Sequence, residues 1–173
     1  ETPAFPEILR RRGYKTEAIG KMHFTPAYLD IGFEKMTLAE QAGPGRWDDD
    51  YHKELMRHGL YDRNDLTDQV REFRERAPAE YFDTFGTGAS NLPEEFHSTT
   101  WIGEHALNSL KQWNGSEQNL LMVSFIKPHH PFDPPARWLN MYDPNSLTLL
   151  PGWTDETPAV DEQLHGGFFP NKN

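Results

Sequence analysis

Two segments of this 173-residue chain have the same succession of a predicted helix, a predicted strand and a loop. This repeated succession constrains the fold more than any other property of the sequence. In each, a stretch with helical spacing of apolar residues leads into a short strand candidate and then into a loop with basic side chains. The second segment is the clearer, because the apolar run from Leu120 to Phe125 opens into a loop with four prolines between residues 128 and 135. A nearly continuous apolar run is typical of a parallel strand covered on both faces. We therefore predict an α/β fold in which a mostly parallel central sheet is flanked by helices.

Helices are predicted before both strands. The first helix has an apolar face with i, i+3, i+4 spacing and ends at Gly13, and a strand follows from Tyr14 to Ile19. In the second segment, Thr99 or Thr100 can cap a helix that precedes the apolar run.

The chain is divided here into core units and peripheral segments. We predict two core units of sheet and helix, over residues 1–25 and 97–144. Between them, residues 26–96 are predicted to form a polar insertion, and residues 145–173 a loop-rich extension. Within the insertion, the spacing of Leu66, Val70 and Phe73 predicts one helix from Asp65 to Arg76. The acidic run from Asp48 to Asp50 is typical of a solvated surface.

Composition excludes several classes of protein. With 17 basic and 27 acidic residues, the net charge is −10, and no basic stripe is present for binding nucleic acid. No apolar run approaches the roughly 20 residues of a membrane span. The chain has no cysteine, so disulfides, thiolate metal sites and thiol nucleophiles are excluded within it. Because the first residue is Glu1 and no signal-like segment follows, we expect a processed protein or a piece of a longer one.

Basic side chains follow both predicted strands. Lys21 and His23 come directly after the first strand, and His129 lies in the proline-rich loop after the second. Ligands of open α/β sheets bind outside the carboxyl ends of the strands, so these three side chains converge if the strands are neighbours. An ammonium beside imidazoles suits a compact oxyanion such as sulfate, phosphate or phosphonate, and histidine adds proton transfer near neutral pH.

Two motifs resemble those of the sulfatase family. The segment Gly-Tyr-Lys-Thr-Glu-Ala-Ile-Gly-Lys-Met-His, residues 13–23, has every defining position of the family signature that ends in Gly-Lys-x-His. The loop at residues 128–132, with Met-Tyr-Asp-Pro at 141–144, is similar to the family's Pro-His-x-Pro segment. The resemblance implies the central fragment of a sulfatase catalytic domain, which is part of an alkaline-phosphatase-like sandwich.

The resemblance also implies roles for three residues. Lys21 would bind the sulfate oxygens and the catalytic aldehyde hydrate, and His23 would be the base that restores the aldehyde. His129, two residues before Pro131, would contact the sulfate and protonate the leaving alcohol as a general acid. His130 is set aside because that position varies in chemistry among relatives. Fixed cations and a proton donor stabilise the charge that develops during S–O cleavage.

Other parts of the family's machinery are expected outside this chain. The family's nucleophile is a formylglycine made from a Cys/Ser-x-Pro/Ala-x-Arg motif, and no such motif occurs here. The calcium ligands are likewise expected elsewhere, because Asp48 to Asp50 follows the Gly-Lys-x-His motif instead of preceding both motifs. The resemblance therefore implies a fragment that is inactive alone. The substrate it implies is a small-molecule or carbohydrate sulfate ester, in the periplasm or outside the cell.

Two other functions fit the same residues. One is a phosphonate monoester or phosphodiester hydrolase of the same superfamily, whose members share the Pro-His-x-Pro-Phe style of loop. The other is a non-catalytic module that binds anions and has lost the nucleophile.

Overall fold

A computed structural model describes residues 2–148 of the chain, so most of the predicted loop-rich extension lies outside the described residues. In chain order, the helices and strands are α1 (Phe5–Arg11), β1 (Lys15–Gly20), β2 (Lys35–Leu38), α2 (Asp50–Arg57), α3 (Arg63–Gln69), α4 (Arg71–Arg74), α5 (Ala79–Asp83), α6 (Ser98–Lys111), β3 (Asn119–Ser124) and α7 (Ala136–Leu139). Short 3-10 helices span Pro44–Trp47, Glu94–Phe96 and Pro144–Ser146. No helix in this part of the chain is long and apolar enough to cross a bilayer.

The three strands form one parallel sheet in the order β2-β1-β3. Ile19 in the middle strand lies opposite Thr37 of β2 and Val123 of β3. Ala18 and Ile19 are buried, with Ile19 packed in the same core cluster as Ile102 of α6. The predicted α/β fold with a parallel sheet flanked by helices is confirmed.

Strand β2 was not predicted from the sequence. Its four residues, Lys-Met-Thr-Leu, carry too little alternation to stand out from the surrounding polar segment. It lies within residues 26–96, so this segment contributes a strand to the sheet in addition to the helices beside it.

The outer edge of β2 is closed by two carboxylates. The backbone N–H groups of Leu38 and Glu40 point away from β1, and they donate to Asp50 Oδ2 at 2.8 Å and to Asp49 Oδ2 at 2.6 Å. Asp49 is fully buried and also caps α2 by accepting from the backbone N–H of His52. Asp48 is exposed as expected, but the expectation of a solvated run is wrong for Asp49 and Asp50. Their side chains pair with the edge of β2 on the side where the described residues provide no further strand.

Strand β3 lies at the other edge of the sheet. Within residues 2–148 its ladder partner is β1, and its side chains are mostly half-buried. Met122 and Phe125 are exposed by 36% and 45%. The apolar run was expected to form a strand covered on both faces, whereas the described residues cover it only in part.

Helix α6 begins one residue before the expected caps. Its N-cap is His97, whose Nδ1 accepts a 3.3 Å hydrogen bond from the backbone N–H of Thr99. Burial lowers the pKa of His97, which keeps the imidazole neutral and its Nδ1 able to accept.

The helix predicted from Asp65 to Arg76 is divided in two. Val70 has extended backbone angles, φ −108° and ψ 117°, and separates α3 from α4. Leu66 is buried but Phe73 is 54% exposed, so the apolar spacing identified the buried face only in part. The buried face of α3 is instead largely acidic, as described below.

Gly20 is required by a close approach between β1 and β3. Its φ is +99°, and a Cβ added to it would lie 1.9 Å from the carbonyl oxygen of Ser124. The next residue, Lys21, donates its backbone N–H to that same oxygen at 2.9 Å. The glycine of the Gly-Lys-x-His motif therefore allows the strand to end against β3 and places Lys21 at the sheet edge.

Replacing Gly20 by alanine is expected to lower the free energy of unfolding by about 2–5 kcal/mol, because left-handed strain and a backbone clash add together. The matched Gly13→Ala variant, with φ at +88° and no atom within 4 Å of the new Cβ, should lose only the strain contribution. That contribution is about 1–2 kcal/mol. Urea unfolding of the full-length gene product measures both losses, and equal losses would contradict the steric reason for Gly20.

Candidate active site

The loops after the three parallel strands meet at the carboxyl edge of the sheet. Lys21 and His23 follow β1, Glu40 and Gln41 follow β2, and His129 lies in the loop after β3. This is the edge where open α/β sheets bind their ligands.

Lys21 is held by a buried glutamine. Its Nζ donates a 2.9 Å hydrogen bond to Oε1 of Gln41, whose side chain is fully buried. The Nε2 of Gln41 donates to Asp65 Oδ1 at 2.9 Å and to the backbone carbonyl of His130 at 2.8 Å. Gln41 thus connects the loop after β1 to the loop after β3.

His129 is bound to the same backbone carbonyl. Its imidazole is exposed, and its Nδ1 lies 2.8 Å from the carbonyl oxygen of His130. Because a carbonyl oxygen only accepts, Nδ1 carries the proton and Nε2 is left for proton exchange with a ligand. The structure therefore links Lys21 and His129 through Gln41 and one carbonyl oxygen.

The neighbouring His130 is engaged differently. Its Nδ1 contacts the buried carboxylate of Asp68, which also accepts a 2.6 Å hydrogen bond from the hydroxyl of Tyr81. Desolvation and that hydrogen bond raise the pKa of Tyr81, so the phenol stays protonated and donates. Asp68 therefore fixes the position of His130, whose carbonyl holds both His129 and Gln41.

His23 lies at the same edge on a strained backbone. Its φ is +57°, a left-handed conformation uncommon for a residue other than glycine, and its side chain is exposed. The buried carboxylate of Glu40 accepts the backbone N–H groups of Met22 and His23 at 3.0 Å. Such strain persists where surrounding contacts enforce it, and here a carboxylate from the loop after the neighbouring strand does so.

A stripe of aspartates on α3 supports both loops. Asp62, Asp65 and Asp68 are all buried, at relative exposures of 5–6%. Asp65 forms an ion pair with the buried guanidinium of Arg46 and accepts from Gln41, while Asp68 contacts His130. Sequence reasoning missed these residues, together with Glu40 and Gln41. The recurrence of aspartate at i, i+3 and i+6 is the signal that would have found the stripe.

Burial and the neighbouring carboxylates change the pKa of Asp62. Burial, followed by the nearby charges of Asp65 and Asp133, raises the pKa of Asp62 to about 6. Asp62 nevertheless caps α3 by accepting the backbone N–H of Asp65 at 3.0 Å. Above its pKa, the buried carboxylate is ionised at a cost to folding.

The described residues do not provide a metal centre. In residues 2–148 no three His, Cys, Asp or Glu side chains are grouped so that they could hold a metal ion. The buried carboxylates of α3 are paired with side chains of the protein, namely Arg46, Gln41, His130 and Tyr81.

The parallel sheet, its flanking helices and the basic loops at its carboxyl edge define an α/β protein with a candidate anion site at the ends of its strands. A family model described as Sulfatase matches residues 1–148, and the chain belongs to the sulfatase family. The resemblance noted in the sequence is confirmed.

Two relatives show how much of a whole protein the chain represents. An arylsulfatase of Clostridium perfringens (strain 13 / Type A) is 27% identical over 167 residues, which cover 90% of this chain and 33% of that protein. The solved structure of the phosphonate monoester hydrolase SpPMH from Silicibacter pomeroyi matches with a TM-score of 0.55 and 20% identity, over 88% of this chain and 32% of that one. The chain thus spans about a third of the length of these proteins.

The raised pKa of Asp62 predicts a pH-dependent stability. Its folded-state pKa lies above its unfolded value, so the stabilising contribution is present at low pH and is lost as the pH rises through about 6. Asp62→Asn keeps an oxygen that can cap α3 and removes the charge. We expect this variant to gain about 2–3 kcal/mol on the wild type between about pH 4 and about pH 7.5.

Urea unfolding of the full-length gene product across this pH range provides the measurement. Asp83→Asn makes the same substitution at the exposed end of α5 and is the control for effects of the asparagine itself. A flat difference for Asp62→Asn would show that Asp62 is already ionised at low pH in the folded protein.

Proposed function

We propose that the full-length protein hydrolyses sulfate monoesters and that this chain supplies a cation and proton-transfer groups to the active site. The observation that carries the proposal is the link between Lys21 and His129, which share Gln41 and the carbonyl oxygen of His130 as intermediaries. Membership of the sulfatase family and similarity to a protein named arylsulfatase support the same reaction.

Lys21 has the chemistry of an oxyanion ligand. Among residues 2–148, its ammonium makes one hydrogen bond, to a neutral amide oxygen, and its remaining protons and its charge are thus left by these residues for an anion. During S–O cleavage, negative charge shifts onto the non-bridging and leaving oxygens. A fixed cation at the sheet edge stabilises this charge more than it stabilises the ground state.

His129 has the geometry of a general acid. Because its Nδ1 proton is donated to the carbonyl of His130, the imidazolium form presents Nε2–H to the leaving oxygen. Protonation of that oxygen as the S–O bond breaks avoids a free alkoxide. We assign His23 as the base of the reaction, because it is exposed at the same edge and its backbone is held by Glu40.

Part of the machinery is proposed to lie outside the chain. A formylglycine would supply the nucleophile and a calcium ion would supply charge stabilisation when present, and we place both outside residues 1–173. The substrate is proposed to be a small-molecule or carbohydrate sulfate ester, with its selectivity set by loops such as those in residues 26–98.

The proposal predicts a distinctive response to leaving groups. In the full-length protein, Lys21→Ala should lower kcat for aryl sulfates by about 10²–10³-fold, whatever the leaving group. His129→Ala should lower it by about 10²–10⁴-fold for phenyl sulfate and much less for 4-nitrophenyl sulfate, because the more acidic phenol leaves without a proton. His23→Ala should lose activity with both esters.

Controls and a second ester complete the experiment. His58→Ala, at the exposed C-terminal end of α2, should leave turnover unchanged. Near-normal turnover in the Lys21, His23 and His129 variants would overturn the site. A wild-type preference for an aryl phosphonate over the aryl sulfate by orders of magnitude would assign the protein to phosphonate hydrolysis. No turnover of either ester would favour an anion-binding module.

A further inference from the structure

The orientation of the Gln41 amide is determined by its partners. Its nitrogen meets the carboxylate of Asp65 and the carbonyl of His130, both of which can only accept in these contacts. The amide oxygen must therefore be the atom that receives Lys21 Nζ at 2.9 Å. The side chain of Gln41 is fully buried, and its hydrogen bond to Asp65 is buried as well, whereas those to Lys21 and His130 are part-buried.

A neutral acceptor at this position has a specific consequence for Lys21. The nearest acidic partner in the network, Asp65, is separated from Lys21 by the amide and is paired with Arg46. A carboxylate in place of Gln41 would form an ion pair with the ammonium and cancel its charge, and this effect is strong where water is excluded. An amide holds the ammonium without neutralising it.

We propose that Gln41 is the positioning residue for Lys21. It holds the ammonium at the carboxyl edge beside the His129 loop and keeps its charge available for an anion, and it does not itself contact the substrate. This inference deepens the proposed function and rests on it only in assigning anion binding to Lys21.

A double-mutant cycle in the full-length protein tests the proposal. Gln41→Met keeps the approximate length of the side chain and removes its hydrogen bonds, and it should lower kcat/KM for an aryl sulfate by about 10–100-fold. In the Lys21→Ala background, the same change should have an effect below about 3-fold, because Gln41 acts through Lys21. The inhibition constant of inorganic sulfate should follow the same pattern.

Gln69 provides a matched control. Its Nε2 lies 3.4 Å from the same His130 carbonyl, and no hydrogen bond joins it to Lys21 in the described part of the chain. Gln69→Met should therefore have the same effect with Lys21 present or absent. If Gln41→Met lowers kcat/KM by the same factor in the Lys21→Ala background as in the wild type, the role of Gln41 is structural and the proposal is overturned.

A second variant covers the case in which Gln41→Met does not fold. Gln41→Glu retains the shape of the side chain, and its carboxylate should pair with Lys21 once it ionises. Its activity relative to the wild type should fall as the pH rises. This pH-dependent decrease should be absent in the Gln41→Glu, Lys21→Ala double variant. If the ratio of the activity of Gln41→Glu to that of the wild type does not change with pH, the proposal is contradicted.

Failure of the inference is distinguishable from failure of the proposed function. If the wild type acts on aryl phosphonates and not on aryl sulfates, the proposed function fails and the same cycle is measured with the phosphonate. If no ester is turned over, the double-mutant cycle is measured by calorimetry as the affinity for inorganic sulfate. The four proteins compared are the wild type, Gln41→Met, Lys21→Ala and the double variant. Loss of sulfate affinity in Gln41→Met that depends on Lys21 supports the inference, and an equal or absent effect in both backgrounds overturns it.

Discussion

The candidate site depends on the buried carboxylates of one short helix. Asp65 of α3 accepts a hydrogen bond from Gln41, the side chain that reaches Lys21, and Asp68 binds the ring of His130. Burying carboxylates is costly unless they are paired and hydrogen-bonded, and each of these two has such partners. Because both anchors lie one turn apart on the same helix, the loops after β1 and β3 are held in a defined relation to one another.

The sheet provides the second constraint, since its parallel strands bring three loops to one edge. The ends of β1 and β2 are joined there by a buried carboxylate, because Glu40 accepts the backbone N–H groups of the Gly-Lys-x-His loop. The two outer edges of the sheet differ. Asp49 and Asp50 close β2, whereas β3 keeps exposed apolar side chains within the described residues, in a chain that spans about a third of its relatives.

Sequence patterns predicted some elements well and others poorly for identifiable reasons. The strand around Val123 was found because it is a nearly continuous apolar run, and the strand around Ile19 because it lies between a helix that ends at Gly13 and the Gly-Lys-x-His loop. Strand β2 was missed because four residues carry too little pattern. The burial of Asp49 and Asp65 was missed because acidic residues are normally solvated, and only their partners elsewhere in the chain make burial favourable.

The sequence by itself determined the α/β class, the family, and Lys21, His23 and His129 as the candidate site residues, because these follow from local patterns and motifs that are contiguous in the chain. The tertiary structure alone decided what holds them. Gln41 and Asp68 reach the site from elements distant in sequence, and their importance lies in hydrogen bonds and burial that no local pattern encodes. Residue spacing can specify which side chains face an edge, whereas the partners of a buried polar group are set by the packing of the whole fold.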